Sequence, residues 1–138
     1  MRRYCTSALL LLTVMSCTSI LVGMAGVLPP GYGVTPEFLE RSGCDREEFD
    51  QRVAYYKEQI KQGAAIGESL VPRVGMDVCD LVAMVGAPNR QDIVQVEGAA
   101  NLNWWYQTGV SGSMSGVKQH LVTMAEREGR PTVIAVTW

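Results

Sequence analysis

The chain is poor in the residues from which reactive centres are built. It has a single histidine, His120, among 138 residues, and no Cys-x-x-Cys pair. The sequence patterns of a zinc finger and of a thioredoxin-like redox site are therefore missing. So are His-Glu-x-x-His and the EF-hand loop, which leaves no metal-binding pattern. The glycine-rich stretch 109–116 lacks both the Gly-Lys-Ser/Thr ending and the following helix of a phosphate loop. It reads instead as a flexible hairpin connector. Basic charge is also scarce, with 12 Lys and Arg against 14 Asp and Glu and a formal net charge of −2. Two of those 12 are Arg2 and Arg3 at the amino terminus, so the body of the chain holds 10. A nucleic-acid binder would carry a basic face or stripe, and that class is excluded. No internal repeat and no low-complexity segment stands out.

What is present begins with residues 1–28, which read as a targeting segment. Arg2-Arg3 form a positive n-region, Ala8–Met15 an apolar h-region, and small residues follow. Three readings stay open for it. Val14-Met15-Ser16-Cys17 has the form of a lipobox, which marks Cys17 for lipidation after cleavage. Gly23 and Ala25 instead suit an ordinary signal peptide cut after Ala25. Left uncut, Ala8–Leu28 has about the ~20 apolar residues needed to span a bilayer. All three place the body outside the cytoplasm: lipid-anchored in the outer membrane and facing the periplasm, or periplasmic, or secreted. Cys44 and Cys79 remain in the body. An oxidising compartment permits a disulfide between them, and two free buried thiols are the alternative.

The body has room for one modest core. Pro29–Gly33 reads as a linker, and Thr35-Pro36 as the N-cap and first residue of a short helix that Ser42-Gly43 ends. Asp45 and Glu48 open a longer helix running to about Gln62, with Phe49, Val53, Tyr56 and Ile60 on its inner face. The best-marked helix is Val78–Val85. Asp77 is its N-cap, Asp80 stands at N3, and Val78, Leu81, Val82 and Val85 make one apolar stripe. Gly86 is placed for a left-handed residue past its end, and Pro88 prevents a restart. Then come strands: Ile93–Val96 as a short strand or loop edge ended by Gly98, and then Asn101–Gln107, Val117–Ala125 and Thr132–Thr137. Glu126–Gly129 is a tight turn. In the second of these, Leu102, Trp104 and Tyr106 should face the helices while Trp105 falls on the outer face. The expected architecture is α+β, a two-layer sandwich of helices on a three-stranded antiparallel meander.

The Gly75-Met76-Asp77 helix start, the Gly86-Ala87-Pro88 stop and the Trp104-Trp105-Tyr106 strand, in that order, resemble the SmpA/OmlA (BamE-like) family of small outer-membrane lipoproteins. The resemblance covers roughly Val71–Val136. Asp77 stands where the family usually has Thr, and either residue caps a helix. The resemblance implies the same helix-then-meander order and a role in docking onto other envelope proteins, barrel-assembly subunits among them. The shape is also similar to the β-lactamase-inhibitor-like fold. The chain then divides into a leader or anchor (1–28), a linker with a helical extension (29–66) and a BamE-like domain (67–138).

For function, His120 has no identifiable Ser or Cys partner, and Asp45, Glu48, Asp77 and Asp80 all have capping roles to fill. No catalytic residue, metal site or cofactor is expected. The candidate sites are Cys17 for lipidation, Cys44 and Cys79 for a disulfide, and Trp105 with Trp138 for a partner-binding patch, since aromatics dominate interface hot spots. Coverage of Trp105 by the amino-terminal extension is the alternative. The expected contacts are envelope proteins and the membrane, reached through the amino-terminal lipid or helix.

Overall fold

The computed structural model describes residues 29–66, 69–108 and 117–138. The leader with Cys17, and the glycine-rich connector, lie outside the described residues.

Helix α1 (Pro36–Ser42) starts where Thr35 Oγ1 accepts from the Phe38 N–H and ends at left-handed Gly43. Helix α2 (Arg46–Lys61) follows after Cys44 and Asp45, with the Asp45 carboxylate accepting from the Glu47 and Glu48 N–H groups. These contacts satisfy donors that a helix start leaves free. Phe49 and Tyr56 are buried, and Val53 and Ile60 are half-buried, on the expected face.

Helix α3 (Val78–Val85) is capped by Asp77, which accepts from the Asp80 N–H at 2.9 Å. Its burial is wider than a stripe. Cys79, Ala83 and Met84 are enclosed along with Val78, Leu81 and Val82, because α3 lies between α2 on one side and the sheet on the other. A helix apolar on nearly all sides is a buried helix. Gly86 departs from expectation. It has φ 82° and ψ −166°, not left-handed helical but in the extended positive-φ region that only glycine enters readily. A Cβ there would collide with the Tyr32 carbonyl oxygen, which accepts from the Ala87 N–H at 3.0 Å. Residues 29–34 are thus seated against the end of α3 instead of acting as a free tether. Pro30 is buried, and Gly31 approaches Phe49 and Val53.

The sheet has four strands, not three, all antiparallel in the order β1 (Arg90–Val96), β2 (Ala99–Thr108), β3 (Lys118–Arg127) and β4 (Arg130–Thr137). Strand β1 is longer and more regular than Ile93–Val96 alone suggested. Glu97 and Gly98 both have positive φ, 50° and 81°, and join Val96 to Ala99 in a two-residue hairpin. Such turns match the twist of paired strands, so Gly98 is a connection and not a terminator. Glu128-Gly129 repeats the device, with φ 53° and 77°, between β3 and β4. Glu126 and Arg127, expected in that turn, are paired in the strands instead.

One face of the sheet meets the helices. Trp104, Tyr106, Val122, Met124 and Val133 are buried there, in one core with Phe38, Leu39, Phe49, Tyr56 and α3. The α+β class and the helix-on-sheet arrangement hold in the described residues.

Candidate docking surface

The face of the sheet turned away from the described helices follows from the two-residue period of a strand. With Trp104 and Tyr106 turned inward, Asn103 and Trp105 point outward, and the register sets Asn103 beside Thr123 and Trp105 beside Leu121. Thr123 Oγ1 donates to Asn103 Oδ1 at 2.9 Å. Asn103, Trp105, Leu121, Thr123 and Ala125 are all half-buried and none is enclosed. The amino-terminal helices pack on the other side, where Phe38 meets Trp104 with ring centroids 5.5 Å apart. They do not cover Trp105.

Trp105 is held by its neighbours on β1. Its Nε1–H donates to Asp92 Oδ2 at 3.0 Å, and the Arg90 guanidinium sits 4.7 Å from the ring centroid. Arg90 is itself bonded to the same Asp92 oxygen. Cation, ring and carboxylate thus form one fixed group, with the ring's polar edge satisfied and part of its apolar surface left to solvent. The position of Trp105 was legible from alternation. Arg90 and Asp92 were not, because their role depends on a strand that turn chemistry alone revealed.

Trp138 is elsewhere. It stacks on His120 with centroids 4.2 Å apart and an interplanar angle of 22°, and it tilts against Tyr106. Those residues belong to the helix side, so the structure does not unite Trp105 and Trp138 in one patch. His120 is buried on β3, its Nε2 2.6 Å from Thr108 Oγ1. Burial first, and Lys118 second, push its pKa below the ordinary histidine value. The imidazole is therefore a neutral part of the core edge, with an aromatic ring on its face and a hydroxyl at its nitrogen.

Three of the acids expected only as caps, Glu48, Asp77 and Asp80, have other roles as well. Glu48 and Asp77 are gripped by two arginines. Arg52 reaches Glu48 on its own helix and Asp77 Oδ1 at 2.6 Å. Arg130, just past the last hairpin turn, reaches Glu48 at 3.0 Å and Asp77 at 3.2 Å. Asp80 accepts from the Tyr56 hydroxyl at 2.9 Å. Burial alone would raise the Asp77 pKa, but the Asp80 N–H and the Arg52 guanidinium outweigh it and hold the carboxyl below its ordinary value. Arg52 and Arg130 were missed from sequence; the Glu48–Arg52 spacing of four was the one available signal. The cluster ties α2, α3 and the β3–β4 hairpin together, with each carboxylate already engaged.

Cys44, between α1 and α2, is bridged to Cys79 in the first turn of α3, with Cα atoms 5.2 Å apart. On the helix side a cleft of about 160 Å³ lies between α1 and the β1–β2 hairpin, lined by Phe38, Arg41, Ser42, Gln91, Leu102 and Trp104, among others. The buried Trp104 indole N–H has no hydrogen-bond partner among the described residues, in contrast to that of Trp105. Among the described residues, no three His, Cys, Asp or Glu side chains are grouped to hold a metal ion. No helix of the described residues is long and apolar enough to cross a membrane. Set against known proteins, the chain matches no family model, no curated protein and no solved structure.

Proposed function

We propose that this protein is a non-enzymatic cell-envelope lipoprotein of the SmpA/OmlA (BamE-like) type, an accessory or scaffold in outer-membrane protein assembly or envelope integrity. In this reading Cys17 carries the lipid, the body faces the periplasm, and the outer sheet face docks onto envelope proteins, barrel-assembly subunits among them. The observation that carries it is Trp105, a large ring held by Arg90 and Asp92 on a sheet face that none of the described helices covers. A rigid aromatic with a satisfied polar edge loses little freedom when a partner closes over it, as interface hot spots do. The lipobox Val14–Cys17 and the three-part order of Gly-Met-Asp, Gly-Ala-Pro and Trp-Trp-Tyr support the family reading.

A second reading is a periplasmic or secreted inhibitor-type binding module, favoured by the same helix-backed sheet with one face left open by the described residues. Anchoring separates the two. Metabolic labelling with palmitate is expected to mark the wild type and to vanish in Cys17→Ala. A photo-reactive residue at position 105 is then expected to crosslink barrel-assembly subunits in the envelope. Absence of the label together with capture of an unrelated soluble protein would replace the first reading with the second.

A further inference from the structure

The two edges of the sheet are treated differently. At the β4 edge, Gly75 N–H donates to Val133 O at 2.9 Å, and Val133 N–H donates to Met76 O at 2.8 Å. A bridge between Asp77 and Thr132 continues the pairing. Strand β4 also carries Pro131 and a break in register opposite Thr123 and Met124. These are the devices that keep an edge from recruiting another strand. At the β1 edge none of them is present. Arg90–Val96 holds no lysine and no proline, pairs with β2 without a register shift, and has no described residue paired on its outer side. It also exposes apolar side chains on both faces: Ile93 at 69 % on the helix side, and Val94 and Val96 at 40 % and 47 % on the other. An open, regular edge strand with apolar flanks is a template for strand addition.

The geometry points to a second copy of this chain as the occupant, with β1 pairing antiparallel to β1 of the partner subunit about a two-fold axis at Ile93. A two-fold perpendicular to the sheet keeps each face on its own side, so only registers centred on a residue are allowed. Centring on Ile93 pairs the whole strand. It sets Ile93 against Ile93 of the partner subunit, Gln91 against Gln95 of the partner subunit, and Asp92 against Val94 of the partner subunit. Arg90 meets Val96 of the partner subunit. In this register odd positions meet odd and even meet even, so outward backbone groups meet outward groups. No like charges stand opposite each other. Centring one residue earlier would put Asp92 against its own copy, which like-charge repulsion disfavours. Centring one residue later leaves Arg90 and Gln91 beyond the partner's strand. Charge and length therefore select one register, which yields a continuous eight-stranded sheet. It closes an apolar pair, flanked by two glutamine pairs, on the helix side. The outer-face group of Arg90, Asp92 and Trp105 would lie beside that seam on both copies.

The test uses protein purified after expression of the full chain. Sedimentation velocity over a concentration series is expected to show a monomer–dimer equilibrium, with Ile93→Lys weakening the dimer by at least ~100-fold by placing two charges face to face. Position 93 is well exposed in the single chain, and an unchanged circular dichroism spectrum would show that the variant folds. Register is read by cysteine crosslinking. Ile93→Cys, opposite itself in the dimer, is expected to oxidise to a covalent dimer, and Val96→Cys, opposite Arg90, is not. A monomer at every concentration overturns the proposal, and protection of 90–96 from hydrogen exchange in that monomer would show the edge taken by the chain itself. A dimer indifferent to Ile93→Lys overturns it as well, as does one crosslinked equally by Val96→Cys.

Discussion

Single residues fix how the amino-terminal segment meets the rest. Gly86 ends α3 with a backbone conformation open to few other residues, and in doing so brings the chain against the Tyr32 carbonyl. Gly86→Ala should therefore cost twice over, once for a non-glycine residue in that region and once for the collision. Each effect is on the order of 1–3 kcal/mol. The expected outcome is a loss of roughly 2–6 kcal/mol in urea unfolding. If relief comes by residues 29–34 lifting away, the loss shrinks and protease sensitivity around Tyr32 rises instead. An alanine variant with unchanged midpoint and unchanged proteolysis would contradict the close approach.

Elements differ in how much of them the sequence displays, and the difference is one of range. The three helices are legible because their determinants are local. Thr35, Asp45 and Asp77 lie at their starts, Gly43 and Gly86 just past the ends of α1 and α3, and the apolar positions in between recur at helical spacing. Strand β1 is only partly legible, since its pattern faces solvent on both sides and its turn is Glu-Gly, not the more telling Asn-Gly. The pairing of Glu48 with Arg130, 82 residues apart, leaves no local trace at all. Nor does the side of the sheet on which Trp138 falls, which depends on β4 bulging within its length. The disulfide joins these elements across a sequence separation of 35 residues, from the α1–α2 joint to α3. For a loop of that length the chain-entropy model gives roughly 3–4 kcal/mol, through the unfolded state. Cys44→Ala with Cys79→Ala should lose at least about that much, since both sites are buried and truncation there also removes packing. The urea midpoint reads it, with dithiothreitol on the wild type as a second measure. A double variant as stable as the wild type would mean that the bridge constrains nothing.

At the scale of the whole molecule, stability should depend on pH through two groups with opposite charge but the same sign of effect. His120 has its pKa depressed below 6.5 by burial, with Lys118 adding to the effect. As pH falls below about 6.5, the unfolded chain takes up this proton before the folded one does, and stability declines until the folded pKa is passed. Asp77 is depressed below 3.8 against the pull of burial, held there by the Asp80 N–H, Arg52 and Arg130. Its contribution is present above pH 3.8 and disappears as pH drops below that value through the folded pKa. The urea midpoint should therefore fall in two stages, one beginning near pH 6.5 and one below pH 3.8. His120→Phe keeps a ring against Trp138 while removing the titrating nitrogen. In that variant the first stage should vanish, at the cost of the bond to Thr108, while the second stage persists. Arg130→Met should do the reverse, blunting the acid stage because Asp77 loses one of its two cations. A wild type with a flat midpoint between pH 7 and pH 5 would show that folding does not lower the His120 pKa.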